Sequence, residues 1–169
     1  MGELLRETAA KFPDNDALVS PEFGVRETYS EFLDSCTKIA KGFMAIGVER
    51  GDRVSVWSTN VPQWIQLQFA LGMIGAVLVT VNTNCEAHEL EYILNQSDST
   101  TLIHIEAYRK KNYSEIVTEV VPEVKTSSLG NIRSEKLPFL RNVVHMGDVE
   151  TEPGTFKLKD IIKLGETVS

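Results

Sequence analysis

Arg109-Lys110-Lys111 is the densest basic run in the chain, and adjacent cations are what an anionic phosphate binds. The run follows the apolar stretch Thr101 to Ile105, which reads as a strand, so it lies where open α/β sheets place ligands. A solvated charged turn is the plainer alternative for the same three residues. Thr126-Ser127-Ser128-Leu129-Gly130 has the hydroxyls of a phosphate loop but lacks its second glycine and following Lys, and reads as a polar turn. Neither Gly-x-x-x-x-Gly-Lys nor Gly-x-Gly-x-x-Gly occurs.

His88, His104 and His145 fall in separate predicted elements without i, i+4 spacing, and read as structural rather than metal-ligating. Glu86, Glu89 and Glu91 gather at a predicted helix start, where the macrodipole favours carboxylates whatever the function; general acid or base work is the alternative. Gln63 and Trp64 stand behind another strand end, as pocket wall or, more simply, as core. Cys36 and Cys85 stand far apart with no second pair, so neither a disulfide framework nor a thiolate zinc site follows, and each reads as a small buried or half-buried side chain. No catalytic or metal-ligating residue is assigned from these patterns.

The 169 residues carry 17 Lys and Arg against 24 Asp and Glu, a formal charge of −7. Without a basic face, a nucleic-acid partner is not expected, because phosphate backbones need clustered cations. With 42% hydrophobic and 24% charged residues and a mean hydropathy of −0.12, the composition is that of a folded globular domain. No stretch is apolar for long enough to span a bilayer, and Met1 to Arg6 lacks the basic and apolar regions of a signal peptide, so the expected location is cytoplasmic.

Hydrophobic periodicity predicts an α/β fold, a mostly parallel sheet flanked by helices, with a short N-terminal helix and hairpin. Four strands are expected at Arg53 to Trp57, Val77 to Val81, Thr101 to Ile105 and Asn142 to Met146. Their unbroken apolar character predicts cover on both faces. The strongest helix runs from Tyr29 to Ile46, with Phe32, Leu33, Cys36, Ile39, Ala40, Phe43 and Met44 on one stripe. Thr28 and Glu31 form its capping box and Gly47 its stop. A second helix is expected after Asn60 as N-cap, with Pro62 in its first turn, and is apolar almost all round, as if buried between layers. Further helices are expected over Ala87 to Asn95, Asn112 to Val120 and Leu158 to Leu164. Leu4 to Phe12 reads as helical, Ala17 to Ser20 and Val25 to Thr28 as a hairpin, and Lys125 to Lys136 as a loop.

Several pieces, in order, carry a family resemblance: Gly47-Val48-Glu49-Arg50-Gly51-Asp52-Arg53-Val54, Asn60-Val61-Pro62-Gln63-Trp64, Ile74-Gly75-Ala76-Val77-Leu78-Val79-Thr80-Val81-Asn82 and Glu89-Leu90-Glu91-Tyr92-Ile93-Leu94. Lys11-Phe12-Pro13, Thr28-Tyr29-Ser30-Glu31-Phe32 and Leu137-Pro138-Phe139-Leu140-Arg141-Asn142-Val143-Val144 extend it over nearly the whole chain. The set resembles the start of an adenylate-forming, or AMP-binding, enzyme, and is most similar to bacterial medium- and long-chain fatty acyl-CoA synthetases.

The resemblance implies an N-terminal fragment of the AMP-binding domain over 1–169, with a helix, hairpin and helix arm over 1–47 and a parallel α/β core over 48–169. The parent enzyme would join a fatty acid to coenzyme A with ATP and magnesium, through an acyl-adenylate. The family's Ser/Thr/Gly-rich phosphate loop and catalytic Lys lie beyond the matched region, so the fragment is expected to be inactive alone and to bind none of these cofactors tightly. Some relatives set basic residues just past the third strand against the nucleotide phosphate of coenzyme A; Arg109, Lys110 and Lys111 are the positional matches. Relatives often carry an aromatic residue and then Arg where this chain has Cys85 and Glu86, which puts ligand contacts there in doubt. The arm over 1–47, lacking its native partner, is expected to expose the apolar stripe of its second helix and drive homo-oligomerisation. Other adenylate-forming ligases, acting on aryl acids or carrier proteins, and a free-standing binding module of the same fold are the alternatives.

Overall fold

A computed structural model describes residues 1–168. From the N-terminus come helix α1 (Gly2–Lys11), strands β1 (Asp16–Ser20) and β2 (Val25–Thr28) in an antiparallel hairpin, and helix α2 (Tyr29–Ala45). Then follow β3 (Arg53–Trp57), α3 (Pro62–Ile74), β4 (Val77–Thr80), α4 (Ala87–Gln96) and β5 (Ser99–His104). A small hairpin of β6 (Ala107–Tyr108) and β7 (Lys111–Asn112) leads into α5 (Tyr113–Val120). The remainder holds β8 (Asn142–His145), β9 (Thr155–Lys157) and α6 (Leu158–Gly165).

Five parallel strands build the main sheet in the order β4-β3-β5-β8-β9. The four expected strands are all present. The fifth, Thr155–Lys157, was not expected, because three residues carry no readable alternation. Alternate side chains serve two apolar clusters, as a doubly covered sheet requires. Val54, Val56, Ile103, Val144 and Phe156 face α1, α2, α3 and α6. Trp57, Leu102 and Val143 face α4 and α5. Leu5, Phe32 and Phe43 from the first 47 residues share one cluster with Leu67 and Ile161.

α2 begins with the expected capping box, Thr28 accepting from Glu31 N and Glu31 accepting from Thr28 N at 2.8 Å. Most of its apolar stripe is buried and only Met44, at the end, is exposed, which corrects the expectation of an exposed apolar face there. Phe32, Cys36, Ile39, Ala40 and Phe43 are buried under α3 and α6. Glycines permit the close crossing of α2 and α6: a Cβ on Gly42 would stand 2.7 Å from Ile161 O. Burial pushes the Cys36 thiol up to about 12, with Glu27 adding to the shift, so it stays an uncharged core side chain.

α3 departs from expectation twice. Val61, not Asn60, is its N-cap, and no side chain caps it; Pro62 at the first position removes one N–H that would have needed a partner. The helix is also not enclosed. Leu67, Ala70 and Leu71 are buried, but Ile65 is 38% exposed and Trp64, Phe69 and Met73 are only partly covered. No helix among the described residues is long and apolar enough to cross a membrane.

Truncating Phe43 between α2 and the sheet is expected to cost about 3–5 kcal/mol, and removing the Thr28 cap about 1 kcal/mol. Urea unfolding of Phe43→Ala and Thr28→Ala checks the order; equal midpoints for the two variants would contradict the packing described.

Candidate functional site

The parallel strands deliver their carboxyl ends to one edge. From β3 the chain crosses to β4 on one side, then returns past β3 to β5 on the other, so the connections after β3 and β5 diverge at a topological switch point. Trp57 closes β3 there. Its ring stacks on Tyr113 of α5, with centroids 3.7 Å apart and planes 4° from parallel.

This pair and one lysine hold the loop after β4. Trp57 Nε1 donates to Asn82 O at 2.9 Å and the Tyr113 hydroxyl to Thr83 O at 2.7 Å. Lys111 Nζ donates to Asn84 O and, at 3.2 Å, to Cys85 O, and it meets Glu86 Oε1 at 2.5 Å. Burial, with Tyr108 and Cys85 nearby, pushes the Tyr113 hydroxyl up to about 12, so it remains a donor at any working pH. Burial and then Glu89 raise the Cys85 thiol. Glu86 and Glu89 do what helix-start carboxylates do: Glu89 accepts from Glu86 N at 2.9 Å.

The structure divides the basic run. Arg109 and Lys110 form the exposed two-residue tip between β6 and β7, and Arg109 takes the left-handed φ of 56° that a tight hairpin turn demands. The Arg109 guanidinium lies 5.1 Å from the Tyr108 ring centroid, which stiffens the tip. Lys111, half-buried, points back into the loop after β4. Among the described residues Arg109 and Lys110 have no ion-pair partner at the switch point, and Lys111 is a structural tie. The hairpin escaped sequence reading because its strands have two residues each and its turn holds neither Gly nor Asn.

His104 and His145 are not scattered, as the sequence suggested. They end neighbouring strands in register, are buried, and meet edge to face with centroids 5.0 Å apart. Residue separation hides this contact, which only the β5–β8 pairing creates. His104 Nδ1 lies 3.0 Å from Ile105 O. Burial above all, and His145 next, push its pKa down to about 3, so the ring is neutral and Nδ1 carries the proton toward that carbonyl. His145 Nδ1 accepts from Gly147 N at 2.9 Å, which leaves the proton of its neutral form on Nε2. Nε2 lies 3.0 Å from Glu106 Oε2 but off the axis of a hydrogen bond. Glu106 also accepts from the Ser114 hydroxyl at 3.0 Å. The two rings floor an open cleft of ≈ 750 Å³ that Glu115, Glu119, Glu150 and Glu152 make acidic. His88 is exposed on α4, away from this pair.

Of the other sequence candidates Gln63, just behind β3, stands at this edge beside Met146, and the Ser127 to Gly130 turn does not. Ser127 to Gly130 turns near Asn142, at the amino end of β8, so its hydroxyls are far from the carboxyl ends of the strands. Gln63 lines a separate small recess with Met146 and Leu158, and Trp64 packs against the core. Among the described residues no group of three His, Cys, Asp or Glu is placed to hold a metal ion.

Residues 5–156 match the model of the AMP-binding enzyme family. The chain belongs to that family. It is 42% identical over its whole length to YngI of Bacillus subtilis (strain 168), a candidate acyl-CoA synthetase, and spans 31% of that relative. It is 33% identical over 98% of its length to the mitochondrial medium-chain acyl-CoA ligase ACSF2 of Danio rerio, and spans 27% of it. Among solved structures, a candidate long-chain-fatty-acid CoA ligase of Rhodopseudomonas palustris superposes with a TM-score of 0.75 at 29% identity, covering 95% of this chain and 35% of the other. The chain thus spans about a third of the length of these relatives.

The neutral His104 makes stability depend on pH. Its pKa falls from 6.5 in the unfolded chain to about 3 in the fold, so the unfolded state takes up the extra proton between these values. Its contribution is complete above pH 6.5 and is lost as pH falls toward 3. Between pH 7 and pH 5, wild type is expected to lose about 2 kcal/mol more than His104→Asn, read from urea midpoints at both pH values. Parallel pH profiles for the two proteins would contradict a buried neutral imidazole.

Proposed function

We propose that this chain is the N-terminal portion of an ATP-dependent fatty acyl-CoA synthetase. The observation that carries the reading is 42% identity, maintained across all 169 residues, with a relative named as a candidate acyl-CoA synthetase. Such an enzyme turns the carboxylate into an acyl-adenylate with release of pyrophosphate, and the thiol of coenzyme A then displaces AMP. Both steps gather negative charge that must be met by placed cations and donors.

This chain contributes scaffold and one edge of the site. Arg109 and Lys110, at the hairpin tip beside the switch point, meet a phosphate of coenzyme A. Lys111 acts through position: it ties the hairpin to the loop after β4 by the Asn84 and Cys85 carbonyls and Glu86. ATP with its magnesium, and the acyl chain, are held by other parts of the enzyme, in keeping with the missing phosphate-loop motif in these 169 residues. Cytoplasmic fatty acid metabolism is the setting that goes with this reading, and two free buried cysteines suit a reducing compartment.

The isolated chain is expected to release no pyrophosphate from ATP with any fatty acid, and steady release would overturn the reading. In the complete enzyme, joint Arg109→Ala and Lys110→Ala substitution is expected to raise KM for coenzyme A by about tenfold or more and to leave KM for ATP within about twofold. Equal change in both constants, or none, would remove the phosphate role from the tip.

A further inference from the structure

Glu106 is gripped from two elements at once. It stands between β5 and β6, immediately ahead of the hairpin that carries Arg109 and Lys110. Its backbone carbonyl accepts from Tyr113 N at 2.8 Å and from Ser114 N at 3.3 Å, which closes the root of the hairpin onto the first turn of α5. In its side chain, Oε2 accepts from the Ser114 hydroxyl at 3.0 Å. The same oxygen lies 3.0 Å from Nε2 of His145, the last residue of β8.

His145 presents a proton to that carboxylate. Its Nδ1 accepts from Gly147 N at 2.9 Å and its ring meets His104 edge to face, so the orientation is fixed and the proton of the neutral form is on Nε2. Nε2 is buried and has no hydrogen-bond partner among the described residues. Residues of this chain bury it, so the contact does not depend on what lies beyond them. A buried N–H without an acceptor is costly, and the Glu106 charge offsets that cost by attraction to the N–H dipole, even off the hydrogen-bond axis.

We infer that His145 and Glu106 are positioning residues for the hairpin tip. The sheet holds the β6 side of the hairpin through His145 and Glu106, and Lys111 holds the β7 side through the loop after β4. Arg109 is only three residues from Glu106, so the angle set at the root decides where both tip cations stand. Loss of either grip lets the hairpin swing and lowers the fraction of molecules in which Arg109 and Lys110 are placed for one phosphate. The effect on coenzyme A rests on the proposed phosphate role of the tip, whereas the mechanical link does not.

Hydrogen exchange read by mass spectrometry, with steady-state kinetics, tests this on the complete enzyme. A substituted asparagine reaches only as far as Nδ1 and offers Glu106 no N–H, whereas a glutamine amide reaches the position of Nε2. His145→Asn is expected to speed amide exchange over 106–114 by about fivefold or more. It is also expected to raise KM for coenzyme A by about fivefold, with kcat and KM for ATP within about twofold. His145→Gln is expected to return both readouts toward wild type. Glu106→Ala removes a half-exposed side chain outside the core and is expected to repeat the effects of His145→Asn. In the Arg109→Ala, Lys110→Ala background, His145→Asn is expected to add nothing to KM for coenzyme A. Wild-type exchange over 106–114 in both His145→Asn and Glu106→Ala would overturn the inference, as would losses in kcat and KM for ATP as large as that for coenzyme A. Faster exchange in a protein whose tip substitutions leave KM for coenzyme A unchanged would uphold the link and remove the phosphate role instead.

Discussion

The pairing of β3 with β5 is the contact on which the rest of this structure depends. These parallel strands stand more than forty residues apart in sequence and cannot be joined by a tight turn. The intervening chain must leave the sheet as α3, return as β4, leave again as α4 and re-enter. Right-handed crossovers then put α3 and α4 on opposite faces, because β4 and β5 lie on opposite sides of β3. The two apolar clusters follow from that division, and so does the switch point. A sheet that is covered twice has to be apolar on both sides of every central strand, and Val54, Val56, Leu102, Ile103, Val143 and Val144 meet that demand.

The same topology decides what the carboxyl edge contains. Backbone carbonyls of the loop after β4 would stand partly unpaired at the end of the sheet, and three donors from elsewhere reach them: Trp57 Nε1, the Tyr113 hydroxyl and Lys111 Nζ. Each donor belongs to a different element, so the loop, the hairpin and α5 are fixed to one another before any ligand arrives. A tip built on such a base presents Arg109 and Lys110 at little further entropic cost, since the backbone beneath them is already ordered. Placing Glu86 next to Lys111 removes that lysine from the set free to bind an anion.

Most of the fold was legible because its signals are local. Unbroken β-branched runs marked β3, β4, β5 and β8; Thr28 with Glu31 marked the start of α2; Pro62 marked the start of α3. What escaped depends on contacts between distant segments. The three residues of β9 become a strand only because β8 offers them an edge, and the β6–β7 hairpin forms with a non-glycine turn because its base is pinned. The stripe of α2 was correctly found, but its cover, α6, lies more than a hundred residues later, so exposure was the wrong conclusion from the right pattern. For α3 the error ran the other way. An all-round apolar helix suggests enclosure, yet α3 flanks an edge strand and keeps Ile65 at the surface.

The candidate site shows why residue type alone misleads here. Arg109, Lys110 and Lys111 are three equivalent cations in sequence, and the hairpin makes them unequal. Successive residues at a two-residue turn leave in different directions, so the first two project from the tip while the third, already in β7, is aimed at the neighbouring loop. The histidines make the converse case. His104 and His145 have nothing in common in sequence beyond each closing an apolar run, and register brings them face to edge. Burial then fixes His104 as a neutral ring, and the Gly147 N–H fixes the tautomer of His145. Two side chains that share an element type and a position within it will meet whenever their strands are neighbours in register. The strand order is therefore the missing datum, and no spacing rule along the chain supplies it.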